Sequence, residues 1–122
     1  MNYPAVPNKT STTTVLAASL VLTPSTASAQ HIRLFTITGW NNKASDQYIM
    51  VFDAAALPAD GTVTPVAVLL APTGYQFSFN WPDGRLFANG VVVCNSSTVV
   101  SAGNITKTIG SADCIFDINY RG

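Results

Sequence analysis

The sequence predicts an all-β fold: a two-sheet antiparallel sandwich, jelly-roll-like in topology, with an extended N-terminal arm. Two segments alternate apolar and polar residues, which places every second side chain on one face of a strand. Short apolar segments are separated by the turn dipeptides Asp60-Gly61, Asp83-Gly84 and Asn89-Gly90. The sequence contains no glutamate and its helix-start signals are weak. These three observations favour strands joined by tight turns.

The chain divides into an arm, residues 1–10, and a single sandwich domain, residues 11–122. Met1 to Lys9 contains two prolines and shows no apolar periodicity. Because proline fixes φ and removes a hydrogen-bond donor, this stretch is expected to be extended. The remaining length suits one domain that buries a core without help from metals or disulfides.

The sequence predicts seven or eight short strands, a number that fits a two-sheet sandwich. Residues 86–95 are interrupted at Asn89-Gly90, where a bulge or turn is expected, and residues 53–57 could form one helical turn before Pro58. The predicted strands are residues 11–22, 31–40, 48–53, 65–71, 75–81, 86–95 and 113–121. The alternating segments place two sets of side chains on the core: Tyr75, Phe77, Phe79 and Trp81, and Cys114, Phe116, Ile118 and Tyr120.

Charge is scarce in this sequence. Charged residues make up 10% of the chain and the net charge is zero, against about 25% charged residues in ordinary globular proteins. A small domain with so few charges is poorly protected against association, so we expect neighbouring molecules to cover much of its surface. An isolated monomer solubilised by serine and threonine is the alternative. The six basic residues are spread along the sequence, which argues against nucleic-acid binding.

Candidate catalytic and metal-binding residues are few. His31 is the single histidine, and no G-x-S-x-G surrounds a serine. Asp113 and Asp117 share a strand face but would lie about 13 Å apart, beyond the roughly 5–9.5 Å of glycosidase carboxylates. The spacing of Cys94 and Cys114 matches no zinc motif, and we expect buried free thiols, with one interstrand disulfide as the alternative. The sequence therefore predicts a protein that is not an enzyme, with no catalytic residue, cofactor or metal.

Residues 15–22 and the following Ala27-Ser28-Ala29 resemble a secretory signal and its cleavage site. Only one basic residue, Lys9, precedes this short apolar run, so we do not expect export. No apolar run approaches the ~18 residues of a membrane helix. Neither export nor a membrane partner is expected.

Aromatic residues provide the main alternative, a carbohydrate-binding sandwich. Tyr48, Trp40, Trp81 and Tyr120 could form a stacking platform for a sugar. The alternating pattern around Trp81 instead favours a place in the core.

Residues 32–120 carry three short motifs: Y-I-x-x-F-D at 48–53, L-P-A-D-G-x-V-x-P at 57–65 and F-x-N-G-x-V-V-x-x-S-S-T at 87–98. In this region, about three quarters of the chain, the sequence resembles a group of small structural proteins of tailed bacteriophages. The motifs describe a sandwich and its turns, not an active site.

The resemblance implies a capsid cement or decoration protein that binds the outer surface of the phage head as a homotrimer or homodimer. Its partners would be the major capsid protein and its own copies, after synthesis in the cytoplasm of the host bacterium. The arm lies outside the similar region, so its role is inferred from the residues alone. Its candidate inter-subunit contacts are Tyr3, Pro4, Val6, Pro7 and Lys9. The alternatives are the carbohydrate-binding sandwich, either a phage receptor-binding module or a secreted lectin, and a small exported bacterial protein.

Overall fold

The computed structural model describes residues 9–24 and 31–122, and all regular elements in these ranges are β-strands. The all-β prediction is therefore confirmed. In chain order the strands are β1 (Lys9–Thr12), β2 (Ser19–Leu22), β3 (Ile32–Asn41), β4 (Gln47–Asp53), β5 (Gly61–Thr62), β6 (Ala67–Ala71), β7 (Gln76–Phe87), β8 (Val91–Ser96), β9 (Val100–Ser101), β10 (Asn104–Lys107) and β11 (Cys114–Arg121).

Eight strands form two antiparallel four-stranded sheets. Sheet A has the order β1-β11-β3-β7, and sheet B has the order β2-β8-β4-β6. The strands pair from the two ends of the chain inward: β1 with β11, β2 with β8, β3 with β7, and β4 with β6. This nested pairing is that of a long hairpin wrapped into two sheets, which is a jelly roll. The predicted two-sheet sandwich is confirmed, and its strand order is that of a jelly roll.

The main core lies between the two sheets. Alternate residues of each strand point inward, as the period of two requires. Gly39 of β3 lies between Phe77 and Phe116 on the neighbouring strands, and the two aromatic rings approach to 5.8 Å between centroids. The buried members of this core are Ile32, Leu34, Ile37, Ile49, Val51, Ala71, Phe77, Phe87, Val91, Val93, Cys114, Phe116 and Ile118.

A third layer covers the outer face of sheet B. Met50, Phe52, Val92 and Cys94 point away from the main core and form a second buried cluster. Beside Val68 of β6, the segment between β4 and β6 and the chain around the small sheet β5-β10-β9 pack over this cluster. Their contacting side chains are Ala54, Leu57, Val63, Val99 and Ile109. Sheet B is thus apolar on both faces, whereas sheet A has only one face in the core.

The chain passes from sheet A to sheet B within the segment 11–22, which the sequence predicts as one strand. Ala17 still bridges Cys114 in sheet A, and Ser19 already pairs with Cys94 in sheet B. One predicted strand is therefore two, because its two halves pair with different partners. The first of them, β1, begins at Lys9, so Lys9 and Thr10 of the predicted arm belong to sheet A.

The helical turn expected at residues 53–57 does not form, and that expectation is wrong. Asp53 ends β4, and its carboxylate accepts the backbone N–H groups of Ala88, at 3.2 Å, and Asn89, at 2.9 Å. It therefore stabilises the turn between β7 and β8 instead of starting a helix. That turn lies at Asn89-Gly90, as predicted, and Gly90 has φ of 146°.

The dipeptide Asp83-Gly84 bends the chain without ending the strand. Leu34 pairs with Arg85 and Thr36 pairs with Asn80, so residues 81–84 bulge out of β7 opposite one residue of β3. Gly84 takes φ of 78° there, in the left-handed region. The turn residues therefore produce a bulge inside a longer strand.

Candidate interaction surface

Within residues 9–24 and 31–122, no strand layer covers the outer face of sheet A, and we call this face the open face. Across the four strands its side chains form two polar rows, each row made of direct cross-strand partners. Thr10 donates to Asn119 Oδ1 at 3.0 Å, and the Asn119 amide donates to Thr36 Oγ1 at 2.9 Å. The rows are Thr10, Asn119, Thr36 and Asn80, and Thr12, Asp117, Thr38 and Ser78.

One end of the open face carries exposed apolar side chains, which we call the apolar patch: Val15, Leu16, Trp40 and Ile115. Ile115 and Trp40 are direct cross-strand partners and are 39% and 42% exposed. Thr13 bonds to the Phe116 carbonyl and Ala17 to the Cys114 carbonyl, so the loop between them lies beside Ile115. Val15 and Leu16 in that loop are 72% and 39% exposed. The apolar patch is therefore the candidate contact site for another molecule.

The opposite end of sheet A gathers four of the six basic residues, and we call it the basic end. Arg33 and Arg121 are direct cross-strand partners on the open face. Lys9 pairs with Tyr120, next to Arg121, and Arg85 pairs with Leu34, next to Arg33. Sequence reasoning missed this cluster because the four residues are far apart along the chain and meet only through strand pairing.

The candidate contacts of the arm are only partly described. Lys9 is exposed at the start of β1, and its Nζ donates to the carbonyl of Gly122 at the other end of the chain. Tyr3, Pro4, Val6 and Pro7 lie outside the described residues. Their role in inter-subunit contact stays a prediction.

The four aromatic residues considered for sugar binding are not brought together. Trp40 lies on the open face, whereas Trp81 stacks on Phe79 at 5.6 Å and packs against the main core. Tyr120 also packs against that core, and Tyr48 lies on β4 in sheet B. The predicted core face of β7 holds for Phe77, Phe79 and Trp81. Tyr75, just before β7, is 66% exposed.

Both cysteines are free and buried, as expected from the sequence. Burial raises the pKa of the Cys94 thiol and of the Cys114 thiol to about 11. The thiols are therefore protonated and enclosed, which suits a packing role.

Other chemical groups are dispersed. His31 is exposed just before β3. Asp113 forms an ion pair with Lys43 at 3.7 Å, while the Asp117 carboxylate accepts a hydrogen bond from Thr12. Within residues 9–24 and 31–122 there is no group of three or more histidine, cysteine or carboxylate side chains placed to hold a metal ion. In the same ranges, no helix has the length and apolar character needed to span a membrane.

Comparison with known proteins gives a similarity in structure but none in sequence. No family model matches the chain, and no curated protein matches it in sequence. Among solved structures, the coat protein of tobacco streak virus is similar over 94% of this chain and 89% of that one, with 12% sequence identity and a TM-score of 0.39.

Proposed function

We propose that this protein is a structural component of a virion, and more finely a non-enzymatic cement or decoration protein on the outer surface of a bacteriophage head. In this role it contacts the major capsid protein and other copies of itself. The jelly roll is compatible with the proposal because such folds build capsid domains, although they also build lectins. The fold alone does not decide between these functions, so the decision depends on the side chains at the surface.

The apolar patch carries the proposal. Contacts through exposed apolar side chains require little desolvation of charged groups, because few charges lie nearby. Contacts of this kind, repeated in many copies, can stabilise a shell even when each one is modest. In the described part of the chain, the third layer covers the outer face of sheet B, whereas the open face of sheet A presents the apolar patch for such contacts. The aromatic residues support the lectin less, because of the four candidates Trp40 alone lies on the open face.

The direct test is binding to heads that lack the protein. Purified protein is mixed with such heads, and we expect it to sediment with them in many copies and to raise their melting temperature. The double variant Trp40→Ser and Ile115→Ser should sediment at least about tenfold less, since it removes the centre of the patch. Leu70→Ser, at an exposed apolar position in sheet B, is the matched control and should bind like the wild type.

Two results would contradict the proposal. One is wild-type protein that stays in the supernatant at every concentration. The other is equal binding by the patch variant and the wild type, which would place the shell contact elsewhere. Retention on a glycan resin that is lost in Trp40→Ser would favour the carbohydrate-binding alternative.

The arm is tested by a chain that begins at Lys9. Because β1 starts there, this shortened chain should keep the melting temperature of the free protein. Weaker binding to heads, or a smaller oligomer, is the result expected if Tyr3, Pro4, Val6 and Pro7 contact a neighbour. Unchanged binding and unchanged oligomeric state would remove these residues from the contact.

A further inference from the structure

We propose that Asp117 and the apolar patch form one docking site, and that its occupant is a segment of the capsid shell with an arginine next to an apolar side chain. This deepens the proposed function, on which it rests, by naming the chemistry of the shell segment that the patch contacts. In the described part of the chain, the Asp117 carboxylate has no counter-charge within ion-pair distance. The chemistry of the occupant follows from this charge.

Asp117 lies at the border of the apolar patch on the open face. It is two residues from Ile115 on the same face of β11, about 7 Å along the strand. Its direct cross-strand partners are Thr12 and Thr38, which are neutral. The two polar rows of the open face therefore hold one charged side chain, and it adjoins the patch.

The other charges of the open face do not neutralise Asp117. Asp113, two residues from Ile115 on the opposite side of the patch, forms its ion pair with Lys43 at 3.7 Å. The row of Arg121 at the basic end is four residues from Asp117, about 13 Å along the strand. Charges at physiological ionic strength are screened over about 8 Å, so the basic end compensates this carboxylate only weakly.

The Asp117 carboxylate can accept further hydrogen bonds. It accepts one from the Thr12 hydroxyl, whereas a carboxylate has about four acceptor positions. A hydroxyl donor is neutral, so it orients the carboxylate and leaves its negative charge in place. Because Asp117 is already half-buried, a molecule that covers the patch also removes water from this group.

The loss of water determines the charge of the occupant. A carboxylate that loses water without gaining a counter-charge is costly, so a purely apolar or an acidic segment binds poorly. Arginine suits the site because its planar guanidinium group can bond a carboxylate through two N–H groups. Its aliphatic stem can lie on apolar side chains while its charged head reaches Asp117.

The test measures co-sedimentation of the purified protein with heads that lack it. Asp117→Asn keeps the shape of the side chain and an acceptor for Thr12 but removes the charge. It should bind at least about tenfold more weakly than the wild type, as expected for loss of a charged hydrogen bond. The difference should shrink between about 0.1 M and 1 M salt, since the screening length falls from about 10 Å to about 3 Å.

Asp83→Asn is the matched control, because it removes the same charge from an exposed carboxylate. Asp83 lies in the bulge of β7, toward the basic end and away from the patch. This variant should bind heads like the wild type at every salt concentration. Circular dichroism and melting temperature of both variants should match those of the wild type, which shows that each is folded.

The cation on the shell is identified by modifying the heads. Heads that lack the protein are treated with butanedione, which blocks arginine, or are acetylated on lysine. The wild type should bind butanedione-treated heads about as weakly as Asp117→Asn binds untreated heads, and it should bind acetylated heads normally. Butanedione should not weaken the binding of Asp117→Asn further, because the pair is already lost in that variant.

Four results would overturn the proposal: Asp117→Asn that binds like the wild type, Asp83→Asn that binds as weakly as Asp117→Asn, butanedione that weakens both proteins equally, or binding lost on acetylated heads instead. Self-association of the free protein that disappears in Asp117→Asn would also overturn it, by assigning the site to a second copy. Normal binding by Asp117→Asn together with lost binding in the Trp40→Ser and Ile115→Ser variant would leave the proposed function intact. Wild-type protein that does not bind heads would overturn the proposed function itself.

Discussion

At the level of single residues, Gly39 shows how closely the sheets are packed. A Cβ atom added there would fall on the ring of Phe77 and on the carbonyl oxygen of Ile115. The Ile115 carbonyl cannot move away without disturbing β11, and the Phe77 ring cannot move away because it packs against Phe116. The absence of a side chain at Gly39 is therefore what allows Phe77 to lie across β3.

Gly39→Ala is expected to destabilise the protein by about 3 kcal/mol, the cost of overpacking a close-packed core. Denaturant unfolding followed by tryptophan fluorescence measures the change. Thr38→Ala, at the neighbouring position on the open face, is the control and should cost less than about 1 kcal/mol. Equal costs for the two variants would show that the packing at Gly39 is not limiting.

The buried thiols make a second prediction at this scale. Because the pKa of each thiol rises to about 11 on folding, from 9.0, folding keeps the thiols protonated. Their contribution to stability is complete below pH 9 and is lost as pH rises toward 11. A thiol reagent at pH 8 should label both cysteines in denaturant and neither in the native state. Rapid native labelling would contradict their burial.

At the level of elements, one ion pair joins two parts of the third layer, the start of β5 and the end of β10. Lys107 of β10 is only 1% exposed, and its Nζ forms an ion pair with Asp60, just before β5. Asp60 also accepts the backbone N–H of Ile109 at 3.0 Å. The hydrogen bond from Lys107, followed by that from Ile109, lowers the pKa of the Asp60 carboxyl group. The pair thus fixes the segment before β5 to β10 and to Ile109, which follows β10, and so stabilises the small sheet from within.

Asp60→Asn should destabilise the protein, because it leaves the buried ammonium group of Lys107 without its counter-charge. The sign of the pH dependence follows from the lowered pKa. The contribution of Asp60 is present above the ordinary aspartate pKa, and it is lost as pH falls through the lower, folded-state value. Thermal unfolding between about pH 2 and pH 7 should show a smaller acid loss in Asp60→Asn than in the wild type. Identical acid profiles would mean that the pair does not contribute.

At the level of the whole molecule, the jelly roll joins the two ends of the chain. β1 pairs with β11, and Lys9 contacts Gly122, so sheet A is completed only when the first and last strands meet. Contacts between residues distant in sequence slow folding, because loop closure costs entropy before these contacts form. We expect refolding on a timescale of about milliseconds to seconds. Stopped-flow fluorescence after dilution from denaturant measures this rate, and folding within microseconds would contradict it.

Much of the fold could be predicted from local patterns. Alternation specified which side chains of β7 and β11 face the core, and Asn89-Gly90 marked a turn, because both properties depend on neighbouring residues alone. The β9–β10 hairpin was missed, although Ala102 and Gly103 at its turn have φ of 52° and 81°. Its strands are too short to show a period, so the dipeptide Ala102-Gly103 was the single signal.

The sequence by itself determined strand faces, turns, the scarcity of charge and the burial of both thiols, because each follows from residue type and short-range order. The tertiary structure decided which strands pair, where the chain changes sheets, which sheet is covered, and that Lys9, Arg33, Arg85 and Arg121 meet at one end. A strand carries information about its faces but not about its partner. The charge pattern of the open face therefore arises only when β1, β11, β3 and β7 lie side by side.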